Sequence, residues 1–493
     1  MALLAMPNGA CVATREIPEL PFEVWRDALL GEVAGGSRVV ALFAGPPARG
    51  GLHLTAVLAR DTASALSVAR VVLRGEAFPS LANECPQLAL FEREIAEQSG
   101  IEPEGHPSLQ PLRFSRPDGP AAGCAEFHRV EGPEVHEVAV GPVHAGVIEP
   151  GHFRFQCHGE RVLDLGIALG YQRRGVEAGI RSGDPKRRIH YAETAAGDTT
   201  VGHATACCEA LESLAGASVP PRGQALRAVA LELERLANHT GDLGALAGDV
   251  GFQATAAFCG RLRGEWLTLT AELCGNRFGR GLVRPGGSAF DVEPARVERI
   301  LARCDAALRD VRASVDLLWS SPSVLARFEG TGSLAEATAR EIGLVGPAAR
   351  ACGLARDVRL NHPTGMFRFA QIPIARWHSG DVFARAWVRW LEIERSAGFV
   401  REQLGSLPEG AVRAAATPAL APDRLCVSLV EGWRGEICHV AETDALGGLR
   451  QYKIVDPSFH NWTGLALAMR GQQISDFPLC NKSFNLSYCG FDL

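Results

Sequence analysis

Fourteen cysteines are the residues with the widest chemical reach in this 493-residue chain, and their spacing limits what they can do. Apart from Cys207-Cys208 they stand singly, and no two have the Cys-x-x-Cys separation of a ligand pair. Iron–sulfur clusters and structural zinc are held by such grouped thiolates, so an intrachain cluster or zinc site has little support in the sequence. The scatter is also unlike the framework of a secreted disulfide protein. Free thiols buried as small hydrophobes in a cytosolic protein are expected. His203, His239 and His362 each lack a supporting neighbour in the sequence and are expected to be hydrogen-bonded structural residues. No Gly-x-Gly-x-x-Gly follows a strand-like run in a βαβ context, so nicotinamide binding by this chain has no motif behind it.

The elements that must position any site divide the chain in two. At 493 residues it exceeds what one hydrophobic core usually supports. The first part, residues 1–120, reads as a small α+β unit. Arg38–Ala44, Leu52–Ala59 and Leu66–Leu73 are short β-rich runs, and a helix is expected from about Ser80 to Gln98, stopped by Gly100. Ser115–Gly123 is rich in Pro and Gly and reads as a linker. From residue 126 to 493 the pattern turns mostly helical. Leu226, Val229, Leu233, Leu236 and Leu243 recur at helical spacing within 225–246, with Glu234, Arg235 and Asn238 on another face, and a second such helix spans about 381–404.

Composition narrows the class of function. An apolar fraction of 46% with 22% charged residues describes an ordinary globular protein. The net charge of −6 comes without a basic stripe, which argues against nucleic acid as a partner. No window holds the roughly 18–20 uninterrupted apolar residues of a spanning helix.

Three longer motifs carry a family resemblance. Val140–Phe155, Arg280–Gly287 and the tail Asp476–Tyr488 closely resemble the large subunit of membrane-bound [NiFe] hydrogenases of the formate hydrogenlyase type. They also resemble the homologous quinone-pocket subunit of respiratory complex I. Phe91-Glu-Arg-Glu94 and Gly105–Leu112 resemble the smaller complex I subunit that packs beside it, with Ser108 and Gln110 in place of the usual acidic and basic residues. The resemblance implies an α+β fold in which an entry β-unit, here Glu137 to Val162, precedes a long helical bundle. In the hydrogenases two Cys-x-x-Cys pairs hold nickel and iron. Here Ala196 and Thr199 stand at the first pair, and Ser487 and Gly490 at the second. Low-valent nickel and its iron need soft anionic sulfur, so these residues imply loss of the metal centre.

The same resemblance names a site. His152, or alternatively His144, matches the complex I His that hydrogen-bonds a quinone carbonyl, whereas the partnering Tyr has no residue in register; Glu193 falls at about its position. Asp198 and Thr199 are the nearest polar groups at the old metal position. Glu149 matches the acid that passes protons out of the hydrogenase site, and a carboxylate beside an apolar cavity suits that task. Arg434 matches the Arg that overhangs the iron's ligands, although Gly432-Trp433 precede it where the family usually has Ala-Pro. A buried Arg needs a partner, with Glu149 or Asp198 expected. The resemblance therefore implies a subunit of a membrane-associated redox complex, with catalytic candidates Glu149, His152, Asp198 and Arg434 and quinone candidates His144, His152 and Thr199. It further implies a partner subunit carrying a [4Fe–4S] centre, membrane-arm subunits, and a peripheral position on the cytoplasmic face of the membrane. Any NAD dependence would belong to the assembly. The other reading is a non-catalytic scaffold that docks an iron–sulfur subunit to a membrane arm.

Overall fold

The computed structural model describes residues 3–46, 51–114, 126–144, 148–415 and 418–493; the expected linker lies outside them. In the first unit, β1 (Leu4–Met6), β4 (Arg38–Ala44), β5 (Leu52–Arg60) and β6 (Ala65–Leu73) form an antiparallel sheet in the order β1-β6-β5-β4, and β3 (Glu19–Leu20) adds parallel to β6. The expected strands match β4 to β6 within about a residue. Helix α1 (Phe22–Ala34) covers the sheet with Trp25 and Leu29, and α2 (Ala89–Ser99) does so with Phe91 and Ile95. Helix α2 begins later than the sequence suggests. The Ser80 hydroxyl and the Leu81 amide both donate to the Glu92 carboxylate, at 2.5 and 2.8 Å, which folds residues 80–85 back over its first turn. Gly100, with φ of 76°, ends it in the left-handed conformation that glycine tolerates best.

The second unit opens with the expected entry β-unit. Strands β7 (Val135–Val140), β8 (His152–His158) and β9 (Arg161–Ala168) form an antiparallel sheet in the order β9-β8-β7. Phe153, Phe155 and Cys157 alternate into the core. The bundle follows: α4 (Thr200–Ala215), α5 (Pro221–Asp249), α6 (Gln253–Cys274), α7 (Pro294–Trp319) and α8 (Val382–Gly405), preceded by the short α3 (Arg188–Glu193). Trp266, Leu236, Val311 and Ile393 sit in its core, with no solvent exposure.

The bundle also contains a sheet that helical periodicity does not reveal. Strands β10 (Arg424–Gly432), β11 (Gly435–Thr443) and β12 (Leu449–Val455) are antiparallel, and β2 (Cys11–Ala13) from the chain's beginning pairs with β10 as the fourth strand. Every residue of β11 is buried, so no alternation marks it. The N-terminal unit is tied to this sheet by charge. Arg38 donates to Glu436, at 2.5 and 2.6 Å, and Arg70 to Glu442 at 2.6 Å. Buried ion pairs also brace the segment Gly353–Arg359, with Arg359 on both Asp357 and Glu232. The tail contributes α9 (Pro457–Met469), α10 (Phe477–Phe484) and α11 (Tyr488–Asp492). Among the described residues no helix is long and apolar enough to cross a membrane.

Candidate functional site

Trp433 and Arg434 are the two residues of the β10–β11 turn, closed by the Gly432–Gly435 pair. The turn lies so close to Gly346 that a Cβ there would collide with the Arg434 carbonyl oxygen, and Gly346 itself has φ of 65°. Glycine is required at this approach. Arg434 is thereby aimed at the loop between α3 and α4. Its two terminal nitrogens donate to Asp198 Oδ1 and Oδ2 at 2.5 and 2.7 Å, and its Nε donates to the Asn485 carbonyl at 2.5 Å. The guanidinium stacks 3.9 Å from the centre of the Trp433 ring. The Trp433 indole N–H in turn donates to Thr199 Oγ1 and to the Asp198 carbonyl, each at 3.1 Å. The departure at Trp433 thus supplies a donor and a platform that an Ala-Pro sequence lacks.

Burial pushes the Asp198 carboxyl up, but the Arg434 guanidinium outweighs it and holds the group below the usual carboxylate range. Burial likewise pulls Arg434 down, and Asp198 and Asp456 outweigh it. Glu234 lies next to this pair, accepting from the first amides of α4, Val201 and Gly202, at 2.7 and 3.2 Å. Burial raises Glu234 to about 8 against those two donors, and the Asp198 charge adds to the rise. The Asn238 side chain donates to the Asp198 carbonyl at 3.0 Å.

The positions that the sequence resemblance matches to the hydrogenase thiolates are Ala196, Thr199, Ser487 and Gly490. Ala196 is fully buried, and Thr199 Oγ1 accepts from the Trp433 indole. Ser487 caps α11 by accepting from the Gly490 amide at 2.9 Å. A Cβ on Gly490 would meet the Asp456 carboxylate at 2.7–2.8 Å, so this carboxylate occupies the space a side chain would need. Cys489 lies alongside but is committed elsewhere. Its sulfur is 3.5 Å from Ser487 Oγ and beside Glu149, and burial followed by the Glu149 charge raises its thiol to about 11. A thiol that resists ionisation is a poor metal ligand. Among the described residues no three His, Cys, Asp or Glu side chains converge as metal ligands would.

Three of the six sequence candidates meet here, and a fourth lies against the nearby tail. Asp198, Thr199 and Arg434 are in direct contact. Glu149 reaches the same tail turn from the other side, accepting from the Tyr488 amide at 3.1 Å. The two histidines do not join them. His152 shares its strand face with Arg154 and lies against the Phe127 ring, 5.5 Å between centroids, while Phe153 faces Tyr488 and the core. Strand alternation sets that direction. Its Nδ1 donates to the Gly141 carbonyl at 3.3 Å. His144 donates to the Gly151 carbonyl at 3.0 Å. Glu193 is spent on Arg284 and the Gly281 amide, both at 2.7 Å. Asp198, rather than Glu149, is the partner of Arg434. Residues that the sequence does not single out for the site are Glu234, Asn238, Trp433 and Asp456. Asp456 caps α9 by accepting from the Ser458 amide at 2.8 Å, and its other oxygen accepts from His203 at 3.0 Å.

Comparison with known proteins agrees with this architecture. Residues 249–426 match the family described as respiratory-chain NADH dehydrogenase, 49 Kd subunit, and residues 45–121 match its 30 Kd subunit. The chain is 31% identical to the carbon monoxide-induced hydrogenase of Rhodospirillum rubrum over 71% of its own length and 97% of that protein. It is 29% identical to formate hydrogenlyase subunit 5 of Escherichia coli, covering 83% of this chain and 76% of that protein. One NADH-quinone oxidoreductase subunit, from Akkermansia muciniphila, is 26% identical over 71% of this chain and 91% of that protein. A chain of the membrane-bound sulfane sulfur reductase, an archaeal respiratory membrane complex, has the same fold with a TM-score of 0.67 at 22% identity, covering 73% of this chain and 99% of that one. The protein belongs to the family of membrane-bound hydrogenase large subunits and complex I 49 Kd subunits, here with a 30 Kd-type unit in the same chain.

Proposed function

We propose that this chain is the metal-free large subunit of a membrane-associated redox complex, in which the Asp198–Arg434 site couples protons to electrons delivered by an iron–sulfur neighbour, with a quinone as acceptor. The observation that carries the reading is the replacement of the thiolate positions by a built polar site. A bidentate ion pair, a buried carboxyl raised to about 8 and, against the tail, a second acid, Glu149, lie at and beside the positions that the resemblance matches to the thiolates. A carboxyl raised as Glu234 is can hold a proton at neutral pH, which suits the reduction of a quinone. Arg434 offers positive charge for a developing oxyanion, and Glu149 is placed to exchange protons at the tail turn. The two histidines face other partners, so acceptor contacts fall to Arg434 and Thr199. In this assembly the chain sits peripherally on the cytoplasmic side, against membrane-arm subunits. The complex isolated with Glu149→Gln or Arg434→Lys tests this. Quinone reductase turnover is expected to fall at least about tenfold with assembly intact. Unchanged turnover in both variants would refute it.

A second reading, a docking scaffold without turnover, is favoured by one observation. Asp198 and Asn485 already satisfy the donors of Arg434, and Asp456 fills the space beside Gly490. It predicts that both variants assemble normally and change nothing measurable.

A further inference from the structure

Behind the site, four buried side chains are joined end to end. Tyr452 on β12 donates its hydroxyl to His439 Nδ1 on β11 at 2.7 Å. His439 Nε2 stands 3.1 Å from His203 Nδ1 on α4, and His203 Nε2 donates to Asp456 Oδ2 at 3.0 Å. One tautomer of each imidazole satisfies every link: His439 carries its proton on Nε2, and so does His203. The donors then all point the same way, from Tyr452 to Asp456. His203 and His439 have no solvent exposure, and Tyr452 is 2% exposed. The ends differ in what they reach. Tyr452 lines a cleft of about 570 Å³ between the two units, together with Glu97, Arg113 and Arg181. Asp456 touches Gly490, beside the site.

We propose that Tyr452, His439, His203 and Asp456 form a proton path that joins the cleft between the two units to the Asp198–Arg434 site. A structural network would need only to pair these groups, whereas this one is unidirectional, spans two strands and a helix, and runs from a residue that lines the cleft to one that touches Gly490 beside the site. In one passage the Tyr452 O–H bond breaks as His439 Nδ1–H forms. The His439 Nε2–H bond breaks as His203 Nδ1–H forms, and the His203 Nε2–H bond breaks as Asp456 gains the proton. Cleft water restores the Tyr452 proton, and Asp456 passes its own to the reduced acceptor. One proton moves from cleft to site and no electron travels with it. Both imidazoles finish as the opposite tautomers, so each passage is followed by ring flips that restore the donors. Other charged or titratable groups face the chain at both ends. The Tyr452 hydroxyl is also hydrogen-bonded to Cys207, Arg188 lies near both, and Arg434 lies near Asp456. Imidazole suits this task because it accepts at one nitrogen while donating from the other.

The use of the delivered proton rests on the proposed function, but the path can be tested without turnover. In the full chain labelled with 15N-histidine, the ring N–H of His203 is expected to exchange with solvent at least about tenfold faster in the natural protein than in Tyr452→Phe or His439→Gln. Thermal midpoints confirm that each variant folds. Equal exchange rates in folded variants would overturn the path. In the intact complex, Tyr452→Phe is expected to slow turnover and enlarge its solvent deuterium isotope effect. Fast exchange that depends on Tyr452, in a complex without quinone turnover, would leave the path standing and refute the proposed function instead.

Discussion

Breaking the Asp198–Arg434 pair should destabilise the protein by an amount that depends on the partner left behind. Arg434→Met removes the guanidinium and leaves the Asp198 carboxylate facing Trp433 and the buried Glu234. Removing one partner of a fully buried ion pair costs about 3–5 kcal/mol. The Arg434 side chain is 5% exposed, but that of Asp198 is 35% exposed, so water can solvate the abandoned carboxylate in part. Discounted for that exposure, the expected cost is about 2 kcal/mol, and Asp198→Asn alone should cost about 1–2 kcal/mol. The double variant leaves no orphaned charge and should be more stable than the sum of the single effects by about 1–2 kcal/mol. For a chain of this length 2 kcal/mol is only about 2 °C in thermal midpoint, so urea unfolding of the purified chain is the better assay. Strict additivity of the two substitutions would refute the claim that the pair is coupled and that Arg434 is held by Asp198.

Other consequences are open to direct measurement. Because Glu234 has a folded-state pKa of about 8 against an ordinary 4.5, the folded protein binds a proton that the unfolded chain releases. Its contribution to stability is therefore full below about pH 4.5 and is lost as pH rises through about 8, by at most about 5 kcal/mol. Glu234→Gln should flatten that decline in urea titrations at a series of pH values, and an unchanged slope would count against the raised carboxyl. Gly346→Ala drives a Cβ into the Arg434 carbonyl oxygen, so it should displace the turn and cost at least about 2 kcal/mol, read by the same unfolding assay. Restoring thiols at Ala196, Thr199, Ser487 and Gly490 should not restore nickel binding, since a side chain at Gly490 meets Asp456; stoichiometric nickel in that variant would show that the space can open.

How much of the fold and site is legible in the residues depends on the range of each interaction. The strands of the first unit and the bundle helices around 225–246 and 381–404 carry local patterns, and these match the structure closely, whereas the entry β-unit follows from the family resemblance. The sheet of β10 to β12 escapes such patterns because burial on both faces removes alternation, and its fourth strand comes from residues more than four hundred positions away. Resemblance points to Arg434 but not to the turn that aims it. That His152 points away from the site is readable in principle. Phe153, Phe155 and Cys157 mark the core face, which leaves His152 and Arg154 on the other; family register alone, without that alternation, points His152 into the site. His203, His239 and His362 each find a carboxylate, Asp456, Glu392 and Asp61 respectively. Those partners lie 153 to 301 positions away, beyond any local pattern. The polar face of α5 contains Glu234 and Asn238 without revealing that they meet the loop at Asp198.

The central claim is that this member of the family works in a redox complex without its metals. The most direct test is nickel quantification together with quinone reductase and H2-dependent turnover, made on the complex purified from its native membrane. Quinone reduction with no nickel, lost in Arg434→Lys while the complex stays assembled, is the predicted result. Stoichiometric nickel with H2 turnover, or an assembled complex that reduces no quinone, would contradict it.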